Sequence, residues 1–280
     1  MKQLNNAENV ISFIHVLPKA TLIHARHPFI VDRCKGKRVL HIGCVDVGLM
    51  EKRFKQNELL HQKLQEVTSL LYGVDINKEG ISFLQEKGLD NLFVIDISGD
   101  IECNVLSEVE FDIIILSEVV EHLSNPGLML EAVQKFMNDK TILIVSVPNA
   151  FSTTNILNML KGMEFVHPDH NYYFSYVTFN NILKKSNLFV KSFYVYSFNH
   201  YVSDSNHSIF KKFYWDLVRS YQAETKPFAF RSFFLGIGKW VKNILEVIVV
   251  KFFYNRTGFF GDGLLVECKL LKVQEKTIGP

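Results

Sequence analysis

The 280-residue sequence predicts an α/β fold with a doubly wound, largely parallel sheet. Short apolar runs alternate with helix-forming segments from residue 37 to residue 147, which is typical of strands joined by crossover helices. One run, Phe111 to Leu116, is almost continuously apolar, as a strand covered on both faces should be. Another, at 38–42, leads into a sharp turn at Gly43 that opens into a helix-forming segment.

The apolar runs define the strands in chain order. Seven are predicted, at 37–43, 70–75, 91–96, 111–116, 141–147, 188–198 and 263–271. Helices are predicted at 49–66 with a loop near Gln56, at 78–87 with Gly88 as C-cap, at 119–137 with a break near Pro126, and at 178–186. Residues 151–174 are expected to be rich in loops.

Composition divides the chain into four parts. We expect a helical lid at 1–36, the α/β core at 37–200, a helical insertion at 201–261, and a final core strand with a tail at 262–280. The net charge of +2 gives no indication of nucleic-acid binding. The four cysteines lack metal-binding spacing and the first nine residues lack a signal-peptide core, so a cytoplasmic protein is expected.

The predicted insertion is basic and aromatic. Residues 205–261 hold nine Lys or Arg against three Asp or Glu, together with both tryptophans, Trp215 and Trp240. Charged residues interrupt the apolar stretch 233–254, so it is not expected to span a membrane. It could form a helical cap on the sheet, a dimer interface, or an amphipathic helix on an anionic membrane surface.

Acidic residues at successive strand ends predict a nucleoside ligand. Gly43 lets the backbone approach a ligand closely, next to the N–H groups of the following helix. Asp75 can accept hydrogen bonds from both ribose hydroxyls, and Asp96 can accept one from an adenine amine with Ile97 beside the ring. Each Asp alone could equally cap a helix, but their order favours a ligand at the carboxyl edge of the sheet.

These motifs resemble the class I S-adenosylmethionine-dependent methyltransferases. The matching segments are Val39–Gly48, Gly73–Asp75, Val94–Asp96 and Phe111–Leu123, and the most specific is Glu-Val-Val-Glu-His-Leu at 118–123. The resemblance covers roughly residues 36–198 and the final strand. It implies a Rossmann-like sheet of seven strands with the last one antiparallel, and S-adenosyl-L-methionine as cofactor.

The resemblance also implies which residues bind the cofactor. The set is His41, Gly43, Cys44, Asp75, Ile76, Asp96, Ile97, Ser117 and Glu118. Gly43 and Cys44 would line the methionine part, Asp75 would hold the ribose, and Ser117 and Glu118 would lie near the amino-acid moiety. The glycine turn departs from the family pattern, which has an acidic residue at 41 and glycines at 45 and 47, where this chain has His41, Val45 and Val47.

Histidines are the candidate catalytic residues. A sulfonium methyl is already activated, so positioning supplies much of the rate, and an oxygen acceptor also benefits from a base. His122, His167 and His170 are the candidate bases, with Glu121 as an orienting residue or second base. Glu121 and His122 could instead brace the helix. A metal bound by Glu121 and His122 is a poorly supported alternative, and no metal ligand is predicted.

The predicted function is methyl transfer from S-adenosylmethionine to a small-molecule or glycan acceptor, by analogy an oxygen of a surface-polysaccharide sugar. One alternative is a membrane-associated lipid or quinone methyltransferase. Another is a binding module without activity, which Val45 and Val47 favour. A nicotinamide dehydrogenase is disfavoured because the turn lacks the dinucleotide pattern. Peripheral contact with the inner face of the membrane and homo-oligomerisation stay open, and no nucleic-acid partner is expected.

Overall fold

The computed structural model describes residues 15–99, 104–196 and 261–271. Eight strands in these residues form one sheet, in the order β1-β7-β8-β6-β5-β2-β3-β4. The strands are β1 (Thr21–Ile23), β2 (Arg38–Ile42), β3 (Leu70–Asp75), β4 (Leu92–Val94), β5 (Ile113–Ser117), β6 (Ile142–Pro148), β7 (Leu188–Tyr196) and β8 (Gly263–Leu270). All neighbouring pairs are parallel except those of β8, which is antiparallel to both β6 and β7.

Helices connect the strands. They are α1 (Arg26–Cys34), α2 (Met50–Lys55), α3 (Leu60–Gln65), α4 (Lys78–Glu86), α5 (Asn104–Ser107), α6 (Pro126–Ala132), α7 (Thr153–Leu160) and α8 (Tyr176–Lys185). Two short 3-10 helices, Val120–His122 and Val133–Phe136, flank α6. The doubly wound, Rossmann-like sheet and its antiparallel last strand are thus confirmed.

Strand β5 lies in the middle of the sheet and is buried on both faces. Ile114 and Leu116 pack into the largest core cluster, whereas Ile113 and Ile115 pack into a second cluster. Alternate residues of a strand point to opposite faces, so both faces of β5 need apolar side chains. This explains the continuous apolar run in the sequence.

The structure corrects the predicted elements in three places. Residues 21–23 form an eighth strand, which pairs with β7 at the edge of the sheet, within a segment predicted to be helical. Residues 153–160 form α7, capped by Ser152, within a segment predicted to be rich in loops. The predicted helix at 119–137 is a 3-10 turn, α6 and a second 3-10 turn.

The predicted helical insertion at 201–261 lies almost wholly outside the described residues, and so do the interpretations that depend on it. Within the three described ranges, no helix combines the length and the apolar character needed to cross a membrane.

Buried histidines lie beneath the sheet between α1 and α3. His41 of β2 and His61 of α3 are nearly parallel, with 3.2 Å between their Nδ1 atoms. Burial lowers the pKa of His61 to about 4 and that of His41 well below its usual value. Burial, with the nearby Arg26 charge, lowers the pKa of His27 to about 3. All three imidazoles are therefore uncharged in the folded protein at neutral pH.

These lowered pKa values predict an acid-sensitive fold. Between about pH 6.5 and pH 4 the unfolded chain binds protons at these histidines that the folded chain does not, so the free energy of unfolding falls as pH falls. His61→Gln should reduce this slope by up to about 1.4 kcal/mol per pH unit, the value for one proton. Urea unfolding at a series of pH values measures it.

A packing variant provides the control for this prediction. Leu64→Ala removes a fully buried side chain from the same helix without removing a titrating group. It should lower stability by about 2–5 kcal/mol equally at every pH. An unchanged slope in His61→Gln would contradict the prediction.

Candidate active site

The strand register brings four loops to one edge of the sheet. Ile42 pairs with Val74 and with Leu116, and Ser117 pairs with Ser146, so β2, β3, β5 and β6 end side by side. Ligands of open α/β sheets bind at this carboxyl edge. Most of the residues predicted from the sequence to bind or react lie in the loops that leave it.

The glycine turn after β2 folds against the end of β3. Gly43 has a left-handed φ of 73°, and a side chain there would clash with Val119, so the position needs glycine on both grounds. The N–H groups of Gly43 and Cys44 both donate to the carbonyl of Val74, at 2.8 and 3.3 Å. Cys44 is buried, which raises the pKa of its thiol and keeps it protonated.

Asp75 joins the turn to the next strand. Its Oδ2 accepts from Val45 N and its Oδ1 from Asn77 N, both at 2.9 Å. Partial burial raises the carboxyl pKa, and these donors oppose the rise. Each oxygen keeps a further lone pair. Ile76 beside it is 73% exposed, which is unusual for so large an apolar side chain. A carboxylate next to an exposed apolar surface fits a nucleoside.

The other predicted cofactor residues lie in three different settings. Asp96 is exposed, and its Oδ1 accepts from the N and Oγ of Ser98 in a tight turn, at 2.9 and 2.6 Å. Ile97 packs into the largest core cluster. His41 lies in the buried pair with His61 instead of lining the open turn. Their roles toward a cofactor stay predictions.

Glu118 is the centre of a polar cluster at the end of β5. Its Oε1 accepts from the hydroxyl of Tyr196 at 2.6 Å and from Ser146 Oγ at 3.1 Å, and forms an ion pair with Arg26 Nη1 at 2.9 Å. Ser117 Oγ lies 3.1 Å from Ser146 Oγ. Glu118 therefore links α1, β5, β6 and β7, and it does so from a left-handed backbone with φ of 57°.

Three members of this cluster, Tyr196, Ser146 and Arg26, are not among the site residues predicted from the sequence. Tyr196 ends β7, far along the chain, and only the sheet order brings it to Glu118. Ser146 lies within an apolar run, where a lone serine is unremarkable. The position of Ser146, a polar residue in an otherwise apolar strand, is the one feature of the sequence that could have indicated its role.

Three histidines from two loops meet beside this cluster. His122 ends the 3-10 turn after β5, and His167 and His170 lie between α7 and α8. The ring centroids are 4.5 Å apart for His122 and His170, 5.1 Å for His167 and His170, and 5.9 Å for His122 and His167. The structure thus brings together all three candidate bases, His122, His167 and His170.

Hydrogen bonds latch the two loops to each other. Asn171 donates from its backbone N to the carbonyl of Glu121 and from Nδ2 to the carbonyl of His122, both at 2.8 Å. Tyr172 donates from its hydroxyl to the carbonyl of Ser124 at 3.1 Å. The relative position of the histidines is therefore set by the backbone.

Burial shifts the pKa values of the histidines and of Glu121 in opposite directions. Desolvation, then the neighbouring histidines, lower the pKa of His170 to about 4, and desolvation also lowers that of His122. Both are neutral at pH 7. Glu121 is fully buried, neither carboxylate oxygen has a hydrogen-bond partner from another described residue, and desolvation raises its pKa to about 7. A buried side chain is poorly placed to serve as a base, whereas its carbonyl holds the histidine loop.

A family profile described as a methyltransferase domain matches residues 18–192. The match spans well over half of the chain, whose fold is that of a doubly wound methyltransferase sheet. The chain therefore belongs to this family of methyltransferase domains, and the enzyme is an S-adenosylmethionine-dependent methyltransferase. No curated protein matches the sequence.

Several solved structures resemble the chain in outline. An S-adenosylmethionine-dependent methyltransferase from Archaeoglobus fulgidus is 17% identical, with 87% of this chain and 94% of that chain covered and a TM-score of 0.46. One from Clostridium acetobutylicum is 11% identical, with 87% and 90% covered and a TM-score of 0.44. Magnesium protoporphyrin IX methyltransferase from Synechocystis is 17% identical, with 62% and 77% covered and a TM-score of 0.44. The family assignment rests on the profile match.

The two glutamates of the loop after β5 should respond oppositely to neutral substitution. The Glu121 carboxyl ionises at lower pH in the unfolded chain than in the folded protein. Its contribution to the free energy of unfolding therefore falls as pH rises from about 4.5 through about 7. Glu121→Gln removes this penalty, and should gain up to about 3 kcal/mol over wild type at pH 8 and little at pH 5. Urea unfolding at both pH values measures the gain.

Glu118→Gln is the matched comparison. It leaves the partly buried Arg26 without its counter-charge, so it should cost about 3 kcal/mol at both pH values. A Glu121→Gln variant that is destabilised at pH 8 would show that the carboxylate is ionised and paired in the folded protein.

Proposed function

We propose that this methyltransferase O-methylates a hydroxyl of a small-molecule or glycan acceptor, such as a sugar of a surface polysaccharide. The observation that carries the proposal is the pair of neutral imidazoles, His122 and His170, at the edge of the sheet that also carries the glycine turn. Neutral imidazoles can accept the proton that a hydroxyl loses on methylation.

The glycine turn and the end of β3 would hold the cofactor. When bound, S-adenosylmethionine supplies an activated sulfonium methyl group. The backbone at Gly43 leaves room for close approach, because no side chain projects from it. Asp75 offers its remaining lone pairs to ribose hydroxyls, and the exposed Ile76 offers an apolar surface to the base. The chain's own contribution here is positioning.

Exposed aromatic side chains near the histidines support a sugar-like acceptor. Phe165 is 75% exposed, and its carbonyl accepts from the hydroxyl of Tyr173, whose ring lies 5.9 Å from that of His170. Tyr172 is also exposed. Rings with an apolar face and a polar tip can cover the C–H face of a sugar and bind its hydroxyls. A planar quinone could stack on the same rings, so the acceptor test must separate the two.

Cofactor binding should depend on Asp75. Asp75→Asn keeps the size of the side chain and removes its charge and one acceptor, so we expect affinity for S-adenosylmethionine and S-adenosylhomocysteine to fall by about tenfold or more. Calorimetric titration measures it. Asp112→Asn is the control, because Asp112 precedes β5 at the opposite edge and pairs with Arg38. It should bind like wild type.

Two results would argue against the cofactor site. Equal affinity in Asp75→Asn and wild type would remove Asp75 from it. Failure of the wild type to bind either ligand would favour a binding module that keeps the fold without activity.

The acceptor class can be read from product formation. Purified protein with S-adenosylmethionine should release S-adenosylhomocysteine in the presence of nucleotide sugars or oligosaccharides, and mass spectrometry should find a gain of one methyl on oxygen. Phenols and quinones presented in anionic vesicles form the contrasting set. Turnover confined to that set would overturn the glycan proposal in favour of a membrane-associated lipid or quinone methyltransferase.

A further inference from the structure

We propose that His122, His167 and His170 form a binding site for one divalent transition-metal ion, of the kind that imidazole prefers, with Zn²⁺ as the first candidate. One ring nitrogen from each residue lies within 4.8 Å of the other two. Within the described ranges, no other group of three or more His, Cys, Asp or Glu side chains has ligand atoms close enough to hold one ion. The sequence alone predicts no metal ligand, and the poorly supported pair it offers is Glu121 with His122.

The spacing is close to what an ion needs. Zn–N distances of about 2.0–2.1 Å place the nitrogens of a tetrahedral site roughly 3.3 Å apart. The ring nitrogens therefore need to approach one another by up to about 1.5 Å, within the range of side-chain rotation. His122 and His167 are exposed, and His167 Nδ1 accepts from Asp169 N at 3.3 Å. The hydrogen bonds of Asn171 keep their loops together.

One ring nitrogen of the cluster, His170 Nδ1, is buried without a hydrogen-bond partner among the described residues. A buried polar nitrogen without a partner costs free energy, so an occupant that binds it would stabilise the loop. The rings also meet edge to face, at 85° for His122 and His170, instead of stacking in parallel.

Asp169 lies beside the cluster and contacts the ring of His167. Its Oδ2 lies 4.0 Å from His167 Nδ1, and its backbone N–H donates a hydrogen bond to the same nitrogen at 3.3 Å. Binding of the ion at Nε2 would move the ring proton of His167 to Nδ1. The ring would then have to turn away from the Asp169 N–H, so that Nδ1 donates to the carboxylate. Metal-bound histidines commonly have such a partner, which fixes the tautomer and the ring orientation.

The donor set selects the class of ion. Three imidazoles suit Zn²⁺, Co²⁺, Ni²⁺ or Fe²⁺, whereas Mg²⁺ and Ca²⁺ prefer oxygen ligands. Three protein ligands also leave a position open, as in catalytic zinc sites. No carboxylate of the described residues needs to bind the ion directly.

The role of the ion rests on the proposed function, although its binding does not. An acceptor hydroxyl at the open position would have a lowered pKa, so its O–H bond breaks and the proton passes to water. The S–CH₃ bond then breaks with its electron pair left on sulfur, and the O–CH₃ bond forms. The ring nitrogens that hold the ion would not be available as bases, so in the metal-loaded enzyme the ion would activate the hydroxyl, and the imidazoles would accept its proton only in the metal-free enzyme.

Metal binding is tested directly on the full-length protein after dialysis against a chelator, without cofactor or acceptor. Co²⁺ serves as the probe, because its visible absorption reports coordination by nitrogen. We expect one Co²⁺ per chain, displaced by equimolar Zn²⁺ but not by millimolar Mg²⁺. His122→Gln and His170→Gln should each weaken Co²⁺ binding by at least tenfold.

Controls separate this site from other histidines and from misfolding. His24→Gln changes an exposed histidine of the segment between β1 and α1 and should bind Co²⁺ like wild type. Far-ultraviolet circular dichroism and thermal melting without metal should match wild type in every variant compared. Absent Co²⁺ binding in wild type, or binding unaffected in a His122→Gln/His167→Gln/His170→Gln triple variant, overturns the proposal. Neither result depends on methyl transfer.

Discussion

The carboxyl edge of the sheet depends on one carboxylate oxygen, Oε1 of Glu118. It accepts hydrogen bonds from the hydroxyls of Tyr196 and Ser146 and forms an ion pair with the Arg26 guanidinium. It therefore joins four elements that are distant in sequence. Removing one partner of such a partly buried pair typically costs about 3–5 kcal/mol, whereas a left-handed non-glycine residue costs about 1–3 kcal/mol. The cluster can therefore hold Glu118 at its φ of 57°.

That backbone turn decides where the next residues go. The chain leaves β5 at Glu118 and forms a 3-10 turn, which buries Glu121 and leaves His122 exposed next to the loop after β6. The carbonyls of Glu121 and His122 then accept from Asn171. One loop thus separates the edge into a half that carries the glycine turn and Asp75, and a half that carries the histidines.

Local sequence signals predicted most of the fold and only the components of the site. Apolar runs found the central strands because burial on both faces leaves a local record, as at Ile113 to Leu116. Strand β1 has three residues and its partner lies in β7, so nothing local marks it. His122 and His170 were identified singly, but their meeting depends on hydrogen bonds between loops that a one-dimensional pattern does not contain.

The altered glycine turn is accommodated by a compensating glycine. Val45 occupies a family glycine position, and its side chain fills the space where a side chain at Gly80 of α4 would project. The Val45 N–H still donates to Asp75 Oδ2, so the link from turn to strand end is kept. Val47, at the other altered position, is 71% exposed and displaces nothing in the core. Val45 is therefore packed into the fold and Val47 leaves the core undisturbed, so neither substitution indicates a decayed site.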